Sequence, residues 1–224
     1  MQFVKVEGTE PLVAAIKHEL SSSLAQNKKV LWLVPGGSNI KVVVSVMADL
    51  PEKNLQNLTL MLTDERFGPP GHPDSNFFQL QNAGLELKGA SFSDVLKDKS
   101  LEETASAYAA AAKTAFESSD KVVMFSGLGP DSHIAGILPN SPATSTEEEW
   151  VNGYDGGQFK RMTLTPFALS HVNITFVGAF GKEKKLALEK LCQEPANIRE
   201  QPSRILCHIQ KVVVYNDQME KSYE

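Results

Sequence analysis

The feature that most constrains this chain is the repeated switch of its apolar periodicity between helix and strand. Residues 10–26 place Leu12, Ile16, Leu20 and Leu24 four apart, one stripe of a helix. Residues 29–34, KVLWLV, form a short unbroken apolar run that ends in Pro-Gly-Gly, which predicts a buried strand and a turn. Helical spacing returns over 39–50 with Ile40, Val43, Val44, Met47 and Leu50, against the weaker helix propensity of the β-branched valines. The pattern continues with strands over 58–63, 121–126, 172–178 and 211–215 and helices over 75–84 and 181–193. Ser100-Leu-Glu-Glu103 is a capping box ahead of an Ala-rich helix reaching Phe116. Residues 139–160 show no period and read as a long loop. Such alternation predicts an α/β fold, a mostly parallel sheet with helices on both faces. No composition shift marks a linker, so residues 1–224 are expected to form a single domain.

The net charge is −5, a poor match to a phosphate-backbone footprint, so no nucleic acid is expected as a partner. A small phosphorylated ligand needs only a local group of cations and stays open. The longest apolar runs fall far short of about 20 residues, so no membrane span is expected. The cysteines, Cys192 and Cys207, are too few for a disulfide framework. Reduced thiols and a cytoplasmic location are expected, since the first residues show no secretory pattern. Cys192, Cys207 and His208 do not form a zinc pattern, which wants four ligands in close pairs.

Unusual residues cluster after the predicted strands, where ligands bind in open α/β sheets. Gly36-Gly37-Ser38 follows the first core strand and offers unblocked N–H groups at a helix start, a phosphate cradle. It is equally a plain turn with Ser38 as N-cap. Asp64-Glu65-Arg66 follows the next strand; Arg66 suits a phosphate or carboxylate, or a simple surface ion pair. Gly127 to His133 follows the third. His133, two residues beyond Asp131, has the chemistry of a general base that takes a proton from water and returns it to a leaving group. A carboxylate such as Asp131 orients the ring. Arg161 opens the segment RMTLT, and Lys182 begins the charged run KEKK after the fourth strand; either suits a phosphate, and Lys182 suits a solvated face equally.

These segments resemble the family of 6-phosphogluconolactonases and glucosamine-6-phosphate deaminases. The resemblance runs through Gly36-Gly37-Ser38, DERFGPPGHPDSN (64–76), GLGPDSHIAGILPNSPA (127–143), RMTLT (161–165) and Gly181-Lys182. Arg66 after Asp-Glu and the downstream Ser75-Asn76 are similar to the lactonase form. The resemblance implies hydrolysis of 6-phosphoglucono-δ-lactone without metal or cofactor. His133, Asp131 and Asp64 would be catalytic, and Gly36, Gly37, Ser38, Arg66, Arg161 and Lys182 would hold the substrate, in a monomer or homodimer. Two departures stand out. Ser132 occupies the family's glycine in Asp-Gly-His, a strained choice if the turn needs positive φ. Pro35 and Asn39-Ile40 replace the ends of the family's Ser-Gly-Gly-Ser-Thr-Pro loop. The deaminase branch is the alternative: Pro202-Ser203 and His208 are similar to its C-terminus, but Leu138 stands where that branch has a glutamate. A sugar-phosphate-binding module without catalysis is a further alternative, which has no need of a base such as His133.

Overall fold

Strands whose two faces both meet helices lose the alternating pattern of a half-wet sheet and become apolar throughout. β2 (Val30–Val34) is such a strand, with every residue buried. In the computed structural model, which describes residues 1–145, 147–191 and 197–219, it sits inside a seven-stranded parallel sheet. The elements follow in order: β1 (Gln2–Lys5), α1 (Glu10–Ala25), β2, α2 (Ile40–Asp49), β3 (Leu58–Leu62), β4 (Asp64–Arg66), α3 (Asn76–Asn82) and β5 (Ser91–Ser93). Next come α4 (Leu101–Ser118), β6 (Lys121–Gly127), β7 (Val151–Asp155), β8 (Lys160–Leu164) and α5 (Pro166–Ser170). β9 (Ile174–Ala179), α6 (Lys185–Leu191) and β10 (Lys211–Asn216) complete the chain. The parallel sheet has the order β1-β10-β9-β6-β2-β3-β5.

Alternate residues of β2 enter opposite cores. Val30, Trp32 and Val34 join Leu12, Ile16, Leu20 and Leu24 of α1 and Val43 and Met47 of α2. Leu31 and Leu33 join Tyr108, Ala112 and Phe116 of α4. The stripe expected of α1 is thus the one buried. In α2 the buried set is Ile40, Val42, Val43, Val46 and Met47, and Val44 is only half-buried. The capping box forms as expected: Glu103 N–H donates to Ser100 Oγ (3.2 Å) and Ser100 N–H to Glu103 Oε2 (3.1 Å).

Two expectations need correction. The stretch 139–160 is not all loop, because it contains β7, which pairs antiparallel with β8. Its buried residues, Val151 and Tyr154, lie three apart rather than two, so no strand alternation shows. A second sheet, β4-β8-β7, stands beside the main one. The helix read over 181–193 is a 3₁₀ turn (Lys182–Lys184) and then the shorter α6; residues 192–196, Cys192 among them, lie outside the described residues. Cys207 is exposed.

β9, β6, β2 and β3 are consecutive neighbours in the sheet, so the segments after them share one edge. From β2 the chain moves through α2 to β3 on one side, whereas β6 lies on the other. Strand order therefore reverses between β2 and β6, where α/β folds open a crevice.

Candidate active site

At that reversal lies a cavity of about 500 Å³. Gly36, Gly37, Ser38, Asp64, Arg66, His133 and Arg161 all line it. Asp131 touches it through His133. Lys182 is exposed and is not part of the lining; within the run 182–185 the lysine that lines the cavity is Lys184. The physical cause is local: Gly181, at φ +102°, starts a 3₁₀ turn whose side chains do not follow α-helical spacing. Sequence reasoning also passed over Asn39 and Lys41, which lie in the lining at the start of α2.

The loop after β2 enters a 3₁₀ turn (Gly37–Asn39) before α2, so Ser38 is not an N-cap. Gly37 takes φ +65°. Gly36 is required for space: a Cβ there would stand 1.8 Å from Asn76 Oδ1. Asn76 in turn donates from Nδ2 to the Asp64 carbonyl at 2.8 Å, joining the glycine loop to β4.

β4 aims its three residues apart. Glu65 is buried away from the cavity lining and accepts four hydrogen bonds at the start of α3. They come from Arg66 N–H (2.7 Å), Asn76 N–H (2.7 Å), Ser75 Oγ–H (2.9 Å) and Phe77 N–H (3.1 Å). Burial nevertheless pushes its carboxyl above the ordinary value, against the pull of those bonds. Asp64 and Arg66 both line the cavity. Arg66 pairs in register with Arg161 of β8, so two guanidinium groups arise side by side. Arg66 donates to the Asp74 carbonyl at 2.9 Å, and Arg161 lies 3.9 Å from Asp64 Oδ2. The Nε atoms of both arginines are buried without a hydrogen-bond partner among the described residues.

The turn after β6 holds the histidine. His133 Nδ1 lies 2.6 Å from Asp131 Oδ1, and the His133 backbone N–H donates to the same oxygen at 3.1 Å. A carboxylate only accepts, so Nδ1 carries the hydrogen, and in the neutral ring the lone pair is on Nε2. Burial works to raise the Asp131 carboxyl, but the charge and hydrogen bonds of His133 outweigh it and hold it below the ordinary value. Gly129 makes room for the pair: a Cβ there would meet His133 Nδ1 at 2.1 Å. Ser132 does adopt the left-handed conformation, at φ +70°, and is buried. Ser203 N–H donates to its carbonyl at 2.9 Å, and Tyr154 Oη–H to the Gly136 carbonyl at 2.5 Å, so the loop is held on both sides of the histidine.

The lining carries Lys41, Arg66, Arg161 and Lys184 against one carboxylate, Asp64. In a chain of net charge −5, this concentrates positive potential in one crevice, which attracts an anion. Among the described residues, no group of three or more His, Cys, Asp or Glu side chains is placed to hold a metal ion, and no helix is long and apolar enough to cross a membrane.

A family model described as glucosamine-6-phosphate isomerases/6-phosphogluconolactonase matches residues 5–215. The 6-phosphogluconolactonase of Streptomyces coelicolor is 28% identical over 199 residues, covering 80% of this chain and 76% of that protein. The 6-phosphogluconolactonase of Helicobacter pylori strain 26695 is 28% identical over 211 residues, covering 90% of this chain and 88% of that protein. The crystal structure of 6-phosphogluconolactonase from Thermotoga maritima shares the fold, with a TM-score of 0.80 at 20% identity over 96% of this chain and 98% of that one.

Proposed function

The chain belongs to the family of glucosamine-6-phosphate isomerases and 6-phosphogluconolactonases, and from that premise we propose that it hydrolyses 6-phosphoglucono-δ-lactone to 6-phosphogluconate. One observation carries this reading: the His133–Asp131 pair opens onto the same cavity as four lysine and arginine side chains. A base alone fits many reactions, and a cationic pocket alone fits a sensor. Together they suit water attack on a substrate that carries a phosphate.

In the proposed reaction the phosphate, with a charge of about −1.5 to −2, rests on the N–H groups of Gly36 to Ser38, with Arg66, Arg161 and Lys184 around it. His133 Nε2 takes a proton from water as the water oxygen bonds to the lactone carbonyl carbon. The tetrahedral oxyanion then collapses, and the bond from that carbon to the ring oxygen breaks. The imidazolium returns its proton to the departing ring oxygen, which becomes a hydroxyl. Asp131 keeps Nδ1–H engaged, so that Nε2 is the basic atom throughout. Asp64, 3.9 Å from Arg161, offsets part of the positive charge around the phosphate. A δ-lactone is an activated ester, so the step needs one base, fixed orientation and donors for the oxyanion.

Purified protein given the phosphorylated lactone and, separately, glucosamine 6-phosphate tests the reading. Lactone loss above the spontaneous rate, with no ammonia release, supports it; ammonia release moves the chain to the deaminase branch. Leu138, packed against the core at the position of that branch's glutamate, favours the first outcome. No turnover of either substrate leaves the binding module.

A further inference from the structure

We propose that Phe159, which does not line the cavity, is a positioning residue that holds Arg66 and Arg161 as a two-pronged receptor for the substrate's phosphate; this rests on the reading just given. The guanidinium carbons of Arg66 and Arg161 lie 5.3 Å and 5.5 Å from the centre of the one Phe159 ring. Both distances are within the range at which the negative face of an aromatic ring attracts a cation. The two arginines are register partners on β4 and β8, so their charges are forced together and repel. Among the described residues their other polar contacts are sparse: Arg66 donates to one carbonyl, Arg161 has a carboxylate at 3.9 Å, and both Nε atoms are buried and unpartnered. Two long, flexible side chains under mutual repulsion would spread away from the cavity without something common to both. The shared ring is that element, and because it meets the guanidinium carbons it takes up none of the N–H groups, which leaves those beyond the Arg66–Asp74 bond to an anion.

Phe159 is itself fixed. It closes the turn of the β7–β8 hairpin, where Gly156 N–H donates to the Phe159 carbonyl at 2.9 Å and Gly157 N–H to Asp155 Oδ1 at 2.9 Å. Phe67 N–H donates to the Lys160 carbonyl at 2.8 Å, which locks the hairpin to the strand bearing Arg66. A Cβ on Gly156 would meet Arg161 Cδ and Nε at 3.2 Å, so the Arg161 side chain runs across this turn. The small second sheet thus places two cations and their common support at the mouth of a site whose base comes from the main sheet.

The test compares Phe159→Leu, Phe159→Ala and Phe159→Tyr in the full chain. Leucine keeps most of the apolar volume and loses the ring; tyrosine keeps the ring. Leucine and alanine are expected to raise KM for the phosphorylated lactone about fivefold to tenfold, leave kcat within about twofold, and weaken inorganic phosphate as a competitive inhibitor in parallel. Tyrosine restores both values, and Tm does not follow the KM series. Wild-type KM in the leucine variant overturns the proposal, because the ring is then only filler. A collapse of kcat together with Tm overturns it too, because Phe159 then serves the fold. If alanine does not fold, leucine and tyrosine decide. If the wild type does not turn over the lactone, the activity reading fails; titration of inorganic phosphate and of 6-phosphogluconate into the same variants still decides the role of Phe159.

Discussion

Replacing Glu65 by glutamine should destabilise the protein even though it removes a buried charge. Glu65 is 1% exposed, and all four of its partners donate: two to Oε1 at 2.7 Å, and Ser75 Oγ and Phe77 N–H to Oε2. Glutamine has one acceptor oxygen and one NH₂. With the oxygen kept on the shorter pair, the NH₂ faces Ser75 and Phe77. The Ser75 hydroxyl can turn to accept, but the Phe77 N–H cannot, and one unpaired donor costs about 1–3 kcal/mol. Two further bonds lose a charged acceptor, roughly 1 kcal/mol each. Relief of the buried carboxylate offsets part of this, leaving a net loss of about 2 kcal/mol. Urea unfolding at neutral pH with an unchanged m-value measures it. A second readout follows from linkage. Burial raises the native carboxyl above its ordinary value, so the native state takes up this proton at higher pH than the unfolded chain. The resulting stabilisation is complete below the unfolded value of about 4.3 and is lost as pH rises through the raised native value. The stability gap between wild type and Glu65→Gln therefore widens on acidification through that range. A variant within about 0.5 kcal/mol of wild type, or a gap that narrows in acid, would refute the claim that Glu65 anchors α3 through these bonds.

His133→Ala should lower kcat by about 10²–10⁴-fold once spontaneous lactone opening is subtracted, and Asp131→Asn should lower it less, in the same assay. The Asp131 carboxyl lies below its ordinary value, because His133 outweighs the effect of burial. Its stabilising contribution is therefore present above the unfolded value of about 3.9 and is lost only as pH falls through the lower native one, so denaturant titrations near neutrality should show no step from it. Lys184→Ala should raise KM, and Lys182→Ala should leave it unchanged, because of these two it is Lys184 that lines the cavity; steady-state kinetics of the pair decides. Ser132→Gly should relieve about 1–2 kcal/mol of left-handed strain and lose about 0.5–1 kcal/mol to the freedom of the unfolded chain. Thermal melting should show a small gain, and a lowered Tm would contradict this.

Elements were legible where burial is simple. β2 is buried on both faces, so its five residues form one apolar run. Ser100 and Glu103 read as a helix start because the two groups satisfy each other locally. The four segments at the sheet edge were legible for a topological reason: β9, β6, β2 and β3 are neighbours, so whatever follows them converges. β1, β4 and β5 run for only three or four residues, too short for a period, and β7 buries residues three apart. In α2, consecutive valines fit more than one helical stripe, and the expected Val44 yielded to Val42 and Val46.

Within the site, residue types were readable and their directions were not. Asp64-Glu65-Arg66 looks like one charged cluster, yet a strand sends neighbours to opposite faces, so Glu65 serves α3 while Asp64 and Arg66 serve the cavity. Which face is which depends on β8, an antiparallel partner far along the chain that no local pattern announces. The same long-range pairing sets Arg66 against Arg161 and brings both to Phe159, a lone aromatic in a polar turn that carries no signal of its own. Lys182 and Lys184 are chemically equal in the sequence, and the conformation after Gly181 chooses between them. The parallel sheet fixes where a ligand binds; the small antiparallel sheet fixes which charges meet it. A substitution in the hairpin that supplies β8 should therefore act on affinity for the anion before it acts on the chemistry at His133.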